Sequence, residues 1–576
     1  MKFLCLVCLF FSSFASTARA LEREAFTIAK YDLEITLEPA QQRLGARGRI
    51  SLRNDSARPQ KIAALQISSS LNWRSIRLDD KAVQFVSQTY VSDIDHTGAL
   101  SEAIVSLPAE VKPRDSVELE IGYEGVIAPD ATRLTRAGVP EGIAKHSSWD
   151  QIGRSFTAVR GAGYVAWYPI TTESADFSEG NSLFEVDDRW KKREQDSRMK
   201  VILGTDAGMD DPRPTLLCNG VRTSGDIRGG SPHDHWATCE YGRLGLATPS
   251  FAMAGYQNLS KPPLYLFSLP GHEGGTATYS NALDPALRFV SGWFGPPTQP
   301  VAIADLADPN SVPYESGTLL MESMAAEDSK RAGINLVHEL VHSALSSPRP
   351  WVYEGLAHFA EAMYRQEQSG RQVALDFLGL HRAAFLDAEK EVSAIRQRNS
   401  AEKSAGQPLA TTFDESYYRS KAAYVWWMLR DMVGDEALKQ AIHNYRAEDD
   451  NDKDPKYVEH LIESAGKRDL GWFFDDWVYE DRGLPDVHVQ SVHPWKTEKG
   501  AQLVTVTLEN IGNAGAEVPF TIVFEGGEIT KRIEVRAKGN ATTRVELPGM
   551  ASEIVINDGS VPESDLTNNS FKVSAP

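Results

Sequence analysis

The stretch LVHELVHSALSSPRPWVYEGLAHFAE, residues 336–361, decides how this chain of 576 residues reads. Its first part carries apolar residues at helical spacing and meets no breaker before Pro348, which predicts a helix. His338 and His342 are four apart, so their side chains stand one turn above the other on a single face. Leu336, Val337, Leu340 and Val341 make that helix at least partly buried, and burying two imidazoles and a carboxylate without partners is costly. The spacing lets both imidazoles reach one tetrahedral zinc ion, so one Zn2+ per chain is expected. Glu339 follows the first histidine and projects near the metal without binding it. There it takes a proton from the water that the metal activates.

A catalytic zinc needs a third protein ligand and one open position. Pro348-Arg349-Pro350 ends the first helix, and Trp351-Val352-Tyr353-Glu354-Gly355-Leu356-Ala357 opens a second. Glu354 in that first turn is the favoured third ligand. Glu361, seven residues on and on the same face, competes with it. His358, one turn beyond Glu354, also approaches, and either His358 or Glu361 serves as an outer-shell partner of the ligands.

HELVH followed by WVYEGLAHFAE resembles the gluzincin pattern of the alanyl (membrane) aminopeptidase family, in which HExxH and a spacer precede W-x-N-E-G-x-A. The resemblance implies His338, His342 and Glu354 as metal ligands and Glu339 as general base. Eleven residues separate His342 from Glu354, whereas the family's usual spacing of eighteen falls on Glu361. The local E-G-L-A match favours Glu354, because a surface spacer shortens more easily than a ligand motif moves. The FGPPTQPVAIADL run before the helix and FFDDWVYEDRGLPDVHV after it also look like that family, so the resemblance covers roughly residues 25–490. The glycyl aminopeptidase family is close in pattern.

Two further roles are implied by the resemblance. A Y-x-K-G-A tyrosine that steadies the tetrahedral oxyanion is matched best by Tyr418, with Tyr417 second, in Ser416-Tyr417-Tyr418-Arg419-Ser420-Lys421-Ala422-Ala423. The register is off by one residue. The G-x-M-E-N glutamate that binds a substrate's free amine has no direct counterpart, and Glu315 in Pro313-Tyr314-Glu315-Ser316-Gly317 stands in its region as a substrate-binding candidate.

Outward from the site, helical periodicity runs from about Leu264 to Leu484, as in KAAYVWWMLRDMV and DEALKQAIHNYRAE, with QPVAIADLA among a few opening strands. Before it, YDLEITLEP, RGRISLRN, SVELEIGYEG and FEVDDRWKK read as short strands of an antiparallel sheet or sandwich. After Gly483-Leu484-Pro485, the runs AQLVTVTLENIG, VPFTIVFEGG, KRIEVRAKG and TTRVELPG read as a small β-sandwich. The expected architecture is multidomain α+β. Residues 1–20 are a signal peptide and 21–260 an antiparallel β-domain. Residues 261–485 form the helix-rich, thermolysin-like (gluzincin) catalytic domain, and 486–576 a C-terminal Ig-like β-sandwich whose last residues look CARDB-like.

Lys2, the apolar run Phe3 to Phe14 and Ala18-Arg19-Ala20 make a secretory leader, which places the protein in the periplasm or outside the cell. Cleavage leaves Cys218 and Cys239, expected to form one disulfide in an oxidising compartment. A net charge of -19 argues against nucleic acid and anionic membranes as partners, and no later apolar run is long enough to span a bilayer. The expected partner is a peptide or protein substrate; the sequence does not decide oligomeric state.

The sequence therefore points to zinc-dependent hydrolysis of peptide bonds, and the resemblance to an aminopeptidase. The alternatives are an endopeptidase of the same zinc class and a non-catalytic cell-envelope binding protein with a vestigial site. Two weaker signals are set aside. His233-Asp234-His235 lies in a Ser/Pro/Gly-rich loop, and the acidic run Glu448 to Asp454 lacks the glycine and the bidentate glutamate of a calcium loop.

Overall fold

The structure, a computed structural model, describes residues 21–179, 182–206, 214–223, 234–244, 247–325, 328–398, 407–450, 454–496 and 502–573. The leader, His233 and residues 451–453 of the acidic run lie outside them. Among the described residues no helix is long and apolar enough to cross a membrane.

The first unit is β-rich. Its eight-stranded sheet centres on Phe26–Glu38, Arg43–Asn54 and Ser116–Val126, and two three-stranded sheets pack with it. Alternation builds these strands: Leu33, Ile35 and Leu37 point into the core while Asp32, Glu34 and Thr36 do not. The sheet is not wholly antiparallel, since Phe26–Glu38 runs parallel to Arg198–Asp206. The connection between them contains the segment read above as a strand, FEVDDRWKK. It is a helix, Ser182–Glu194. Its buried residues Leu183, Val186 and Trp190 recur at steps of three and four, a helical period that the short run disguised.

Cys218 ends a strand of one small sheet and Cys239 lies in the eight-stranded sheet, and a disulfide joins them.

The second unit opens with a five-stranded sheet whose first strand is Gln257–Lys261 and whose free edge is Tyr314–Ser316. Val301–Asp305 runs parallel to Leu264–Ser268 on one side and Leu319–Glu322 on the other. Helices then take over: Ser329–Ala344, Pro350–Ser369, Arg371–Arg398, and Ala422–Val433 after a π-helical turn at Ser416–Lys421. Two facing antiparallel sheets of three and four strands, from Val487 to Lys572, close the chain.

This sandwich shares one hydrophobic core with the helices. Its contact with them is also polar. Trp477 Nε1 donates to the carbonyl of Gly515 at 2.8 Å, and the Gly515 amide donates to Asp476 at 2.8 Å. Buried Lys421 Nζ lies 2.6 Å from Asp481 and 3.0 Å from Glu389, tying the turn before the sandwich to two helical segments.

Candidate metal centre

Local sequence sets the two helices that build the site. Asp328 caps the first, its carboxylate accepting from the amides of Lys330 at 2.8 Å and Arg331 at 3.0 Å. Leu336, Val337, Leu340 and Val341 are fully buried, each side chain contributing about 1.5–3 kcal/mol to holding the helix down. The helix stops at Leu345, and Pro350 starts the next, where its missing amide costs nothing. Gly355 lets this second helix approach its neighbour: a Cβ there would sit 2.6 Å from Ala422 Cβ. The glycine after Glu354 is thus needed for the crossing that seats Glu354.

The Nε2 atoms of His338 and His342 face each other at 3.0 Å. Glu354 sends Oε1 to 3.6 Å from His342 Nε2 and Oε2 to 3.9 Å from His338 Nε2. Glu315, on the free sheet edge, brings Oε1 to 3.3 Å from His338 Nε2. Ligand atoms of Glu315, His338, Glu354 and His358 all lie within 4.8 Å of one another. Lone pairs therefore converge on one point inside a largely buried wall. Glu339, 1% exposed, has no hydrogen bond to either carboxylate oxygen among the described residues, and neither has Glu354 Oε2. The orphaned Glu354 oxygen beside paired imidazoles is what a divalent cation satisfies, and the nitrogen and oxygen donors suit zinc.

Behind this first set, His338 Nδ1 lies 2.9 Å from Glu361 Oε1, and Arg365 Nη1 donates to Glu361 Oε2 at 2.9 Å. Glu361 faces the back of His338, away from the convergence point. His358 Nδ1 stands 3.3 Å from the same carboxylate. The His342 ring stacks on Tyr353 at 4.1 Å. Despite burial, the Glu315 and Glu361 carboxylates hold His338 well above the usual imidazole range. Burial and the neighbouring Glu315 charge push Glu339 well above the usual carboxylate range. Burial takes His342 down to about 4.

A cleft of about 530 Å³ opens over these groups between the two units, lined among others by Tyr164, Phe177, Leu183, Phe413, Tyr418 and Arg419. Tyr418 is in the cleft wall and Tyr417 is fully buried in the core. Arg419, lysine at 191 and a hydrogen bond from Tyr418 hold the Glu415 carboxyl down at about 2. The sequence reading missed Arg419. Its guanidinium spans Glu315 (Nη2, 3.5 Å) and Glu354 (Nε, 3.6 Å), and reaches Glu415 at 4.0 Å. Arginine at a helix start carries no periodic or spacing signal that would have singled it out.

Residues 306–477 match the Peptidase family M1 domain. No curated protein matches the chain. Among solved structures, a mutant M1 zinc metallopeptidase from Deinococcus radiodurans bound to a Tyr-Ser-Ala substrate aligns at 16% identity and a TM-score of 0.46, over 80% of this chain and 96% of that one. The M1 zinc metallopeptidase of the same organism aligns at 16% identity and a TM-score of 0.43, over 77% of this chain and 90% of that one. Superpositions that loose fix no residue's role. The domain match covers the HExxH helix, the Glu354 helix and the wall carrying Arg419 together. Residues 306–477 are a peptidase M1 domain that carries the candidate metal centre, and the protein is a zinc metallopeptidase.

Proposed function

We propose that the protein is an exported aminopeptidase in which His338, His342 and Glu354 hold the zinc ion and Glu339 is the general base. The observation that carries the ligand assignment is the convergence of two Nε2 atoms, 3.0 Å apart, with a carboxylate 3.6–3.9 Å from both. When bound, zinc polarises a scissile carbonyl and makes water acidic enough to attack near neutral pH. Glu339, unengaged by any hydrogen bond among the described residues, takes the proton from the attacking water and hands it to the leaving amine. Tyr418, in the cleft wall, is the neutral donor to the oxyanion. Glu361 fixes the His338 ring by accepting from its Nδ1–H, leaving Nε2 to the metal.

The aminopeptidase reading rests on Glu315. It lies on the free sheet edge, at the convergence point, and is a carboxylate able to receive a peptide's terminal ammonium. The Cys218–Cys239 bridge supports export, because such bridges persist in oxidising compartments.

Digestion of a peptide library, free or acetylated at the amino terminus, tests this reading by mass spectrometry. Single residues released from free peptides only, with KM rising in Glu315→Gln, are expected. Internal cleavage of acetylated peptides makes the protein an endopeptidase instead. A chain with no zinc and no turnover makes it a binding protein with a relic site.

A further inference from the structure

We propose that Arg419 is a catalytic residue, donating from its guanidinium to the oxyanion formed from the scissile carbonyl. This rests on the zinc-peptidase reading above and adds a charged donor to it. Arg419 stands in the π-helical turn Ser416–Lys421, at the head of the helix that crosses Gly355. Its side chain is 30% exposed and lines the cleft. Its Nε is buried and has no hydrogen-bond partner among the described residues. Three carboxylates surround the guanidinium at 3.5–4.0 Å, close enough to hold it electrostatically and too far to occupy its N–H groups. Fully committed arginines elsewhere in the chain differ. Arg160, for example, donates through Nε to both oxygens of buried Asp150, at 3.2 and 3.1 Å.

The location selects the oxyanion over a more distant group of the substrate. Nε is 3.6 Å from Glu354 Oε2, which is itself 3.9 Å from His338 Nε2, so the free donor borders the metal locus. In the step concerned, the water oxygen bonds to the carbonyl carbon while Glu339 accepts the water's proton. The carbonyl π pair moves onto its oxygen, which becomes the anion that Arg419 faces. Collapse restores the C=O bond and breaks the C–N bond, and the proton held by Glu339 leaves on the amine. Preorganised donors of this kind act only where the charge develops, so they raise kcat without tightening substrate binding.

The test compares wild type with Arg419→Gln and Arg419→Lys. It measures zinc per chain by mass spectrometry, kcat and KM on a free peptide, and the affinity of a phosphinic dipeptide, a tetrahedral anionic analogue, by calorimetry. Arg419→Gln is expected to keep its zinc and its KM, and to lose about 10²-fold in both kcat and phosphinate affinity. Arg419→Lys, which keeps the charge, is expected to lose less, and it decides the matter if the glutamine variant does not fold. Three results overturn the proposal: unchanged kcat and phosphinate affinity, a loss confined to KM, or loss of zinc alone. A wild-type chain without zinc or turnover overturns the peptidase reading and this proposal together, whereas active wild type with equally active variants overturns only the role of Arg419.

Discussion

Nδ1 of His338 and Oε1 of Glu361 are 2.9 Å apart, joining the first histidine of HExxH to a carboxylate two turns beyond Glu354. With zinc held as proposed, this contact would fix the ring's tautomer and orientation and make Nε2 a better donor to the metal. Replacing Glu361 with alanine should weaken zinc binding by about 10- to 100-fold while leaving the fold intact. Chelator competition followed by mass spectrometry measures this. An unchanged affinity would mean that Glu361 serves only Arg365 and His358.

Glu339→Gln should keep its zinc, because the side chain contributes no atom to the converging donor set. It should lose at least about 10²-fold in kcat, the contribution of a positioned proton carrier. Turnover and metal content on one preparation check both halves. Wild-type turnover in this variant would remove Glu339 from the chemistry.

Glu194 gives a pH dependence remote from the site. Its carboxyl is buried, accepts from the Ile28 amide at 3.1 Å and from Ser197 Oγ at 2.8 Å, and burial pushes it up to about 7. Arg193 and Arg53 pull the other way without overcoming that burial. A carboxyl raised in the fold is stabilising when protonated. Its contribution is complete below the ordinary carboxylate range and is lost as pH climbs through about 7. The loss is about 3 kcal/mol across that interval. The unfolding midpoint of wild type should therefore fall between pH 5 and 8 more steeply than that of Glu194→Gln, and parallel curves would refute this.

Cys218→Ser with Cys239→Ser releases a loop closed over a sequence separation of 21 and frees one sheet of the first unit from another. Chain entropy assigns such a bridge about 3 kcal/mol. Denaturant midpoints of the double variant, and of wild type with and without reductant, should shift down together. A variant as stable as oxidised wild type would show the bridge to be incidental.

The approach of His338, His342 and Glu354 to one another was legible in residues 336–361 because side-chain placement on a helix is a spacing, and spacing survives in sequence. The sheet and helix units were legible from their periods. FEVDDRWKK was misread because a nine-residue window with charged residues between Val186 and Trp190 fits a strand as well as a helix. The parallel pairing of Phe26–Glu38 with Arg198–Asp206 was invisible, since nothing local records which distant strand completes an edge. Arg419 escaped for a related reason. Its meaning comes from Glu315 and Glu354, which lie far from it in the chain, and a lone arginine before a helix is otherwise ordinary.

The anchoring of Gly515 to Trp477 and Asp476 has an outcome for how this protein is to be handled. The terminal sandwich supplies both the amide and the carbonyl of one residue to the last turns of the helical unit. Cutting the chain near Leu484 would expose a tryptophan and take from Asp476 its amide donor, leaving it only Arg482, at 3.1 Å, among the described residues. The sandwich is accordingly no removable appendage, since it shares one hydrophobic core with the helices it is bonded to.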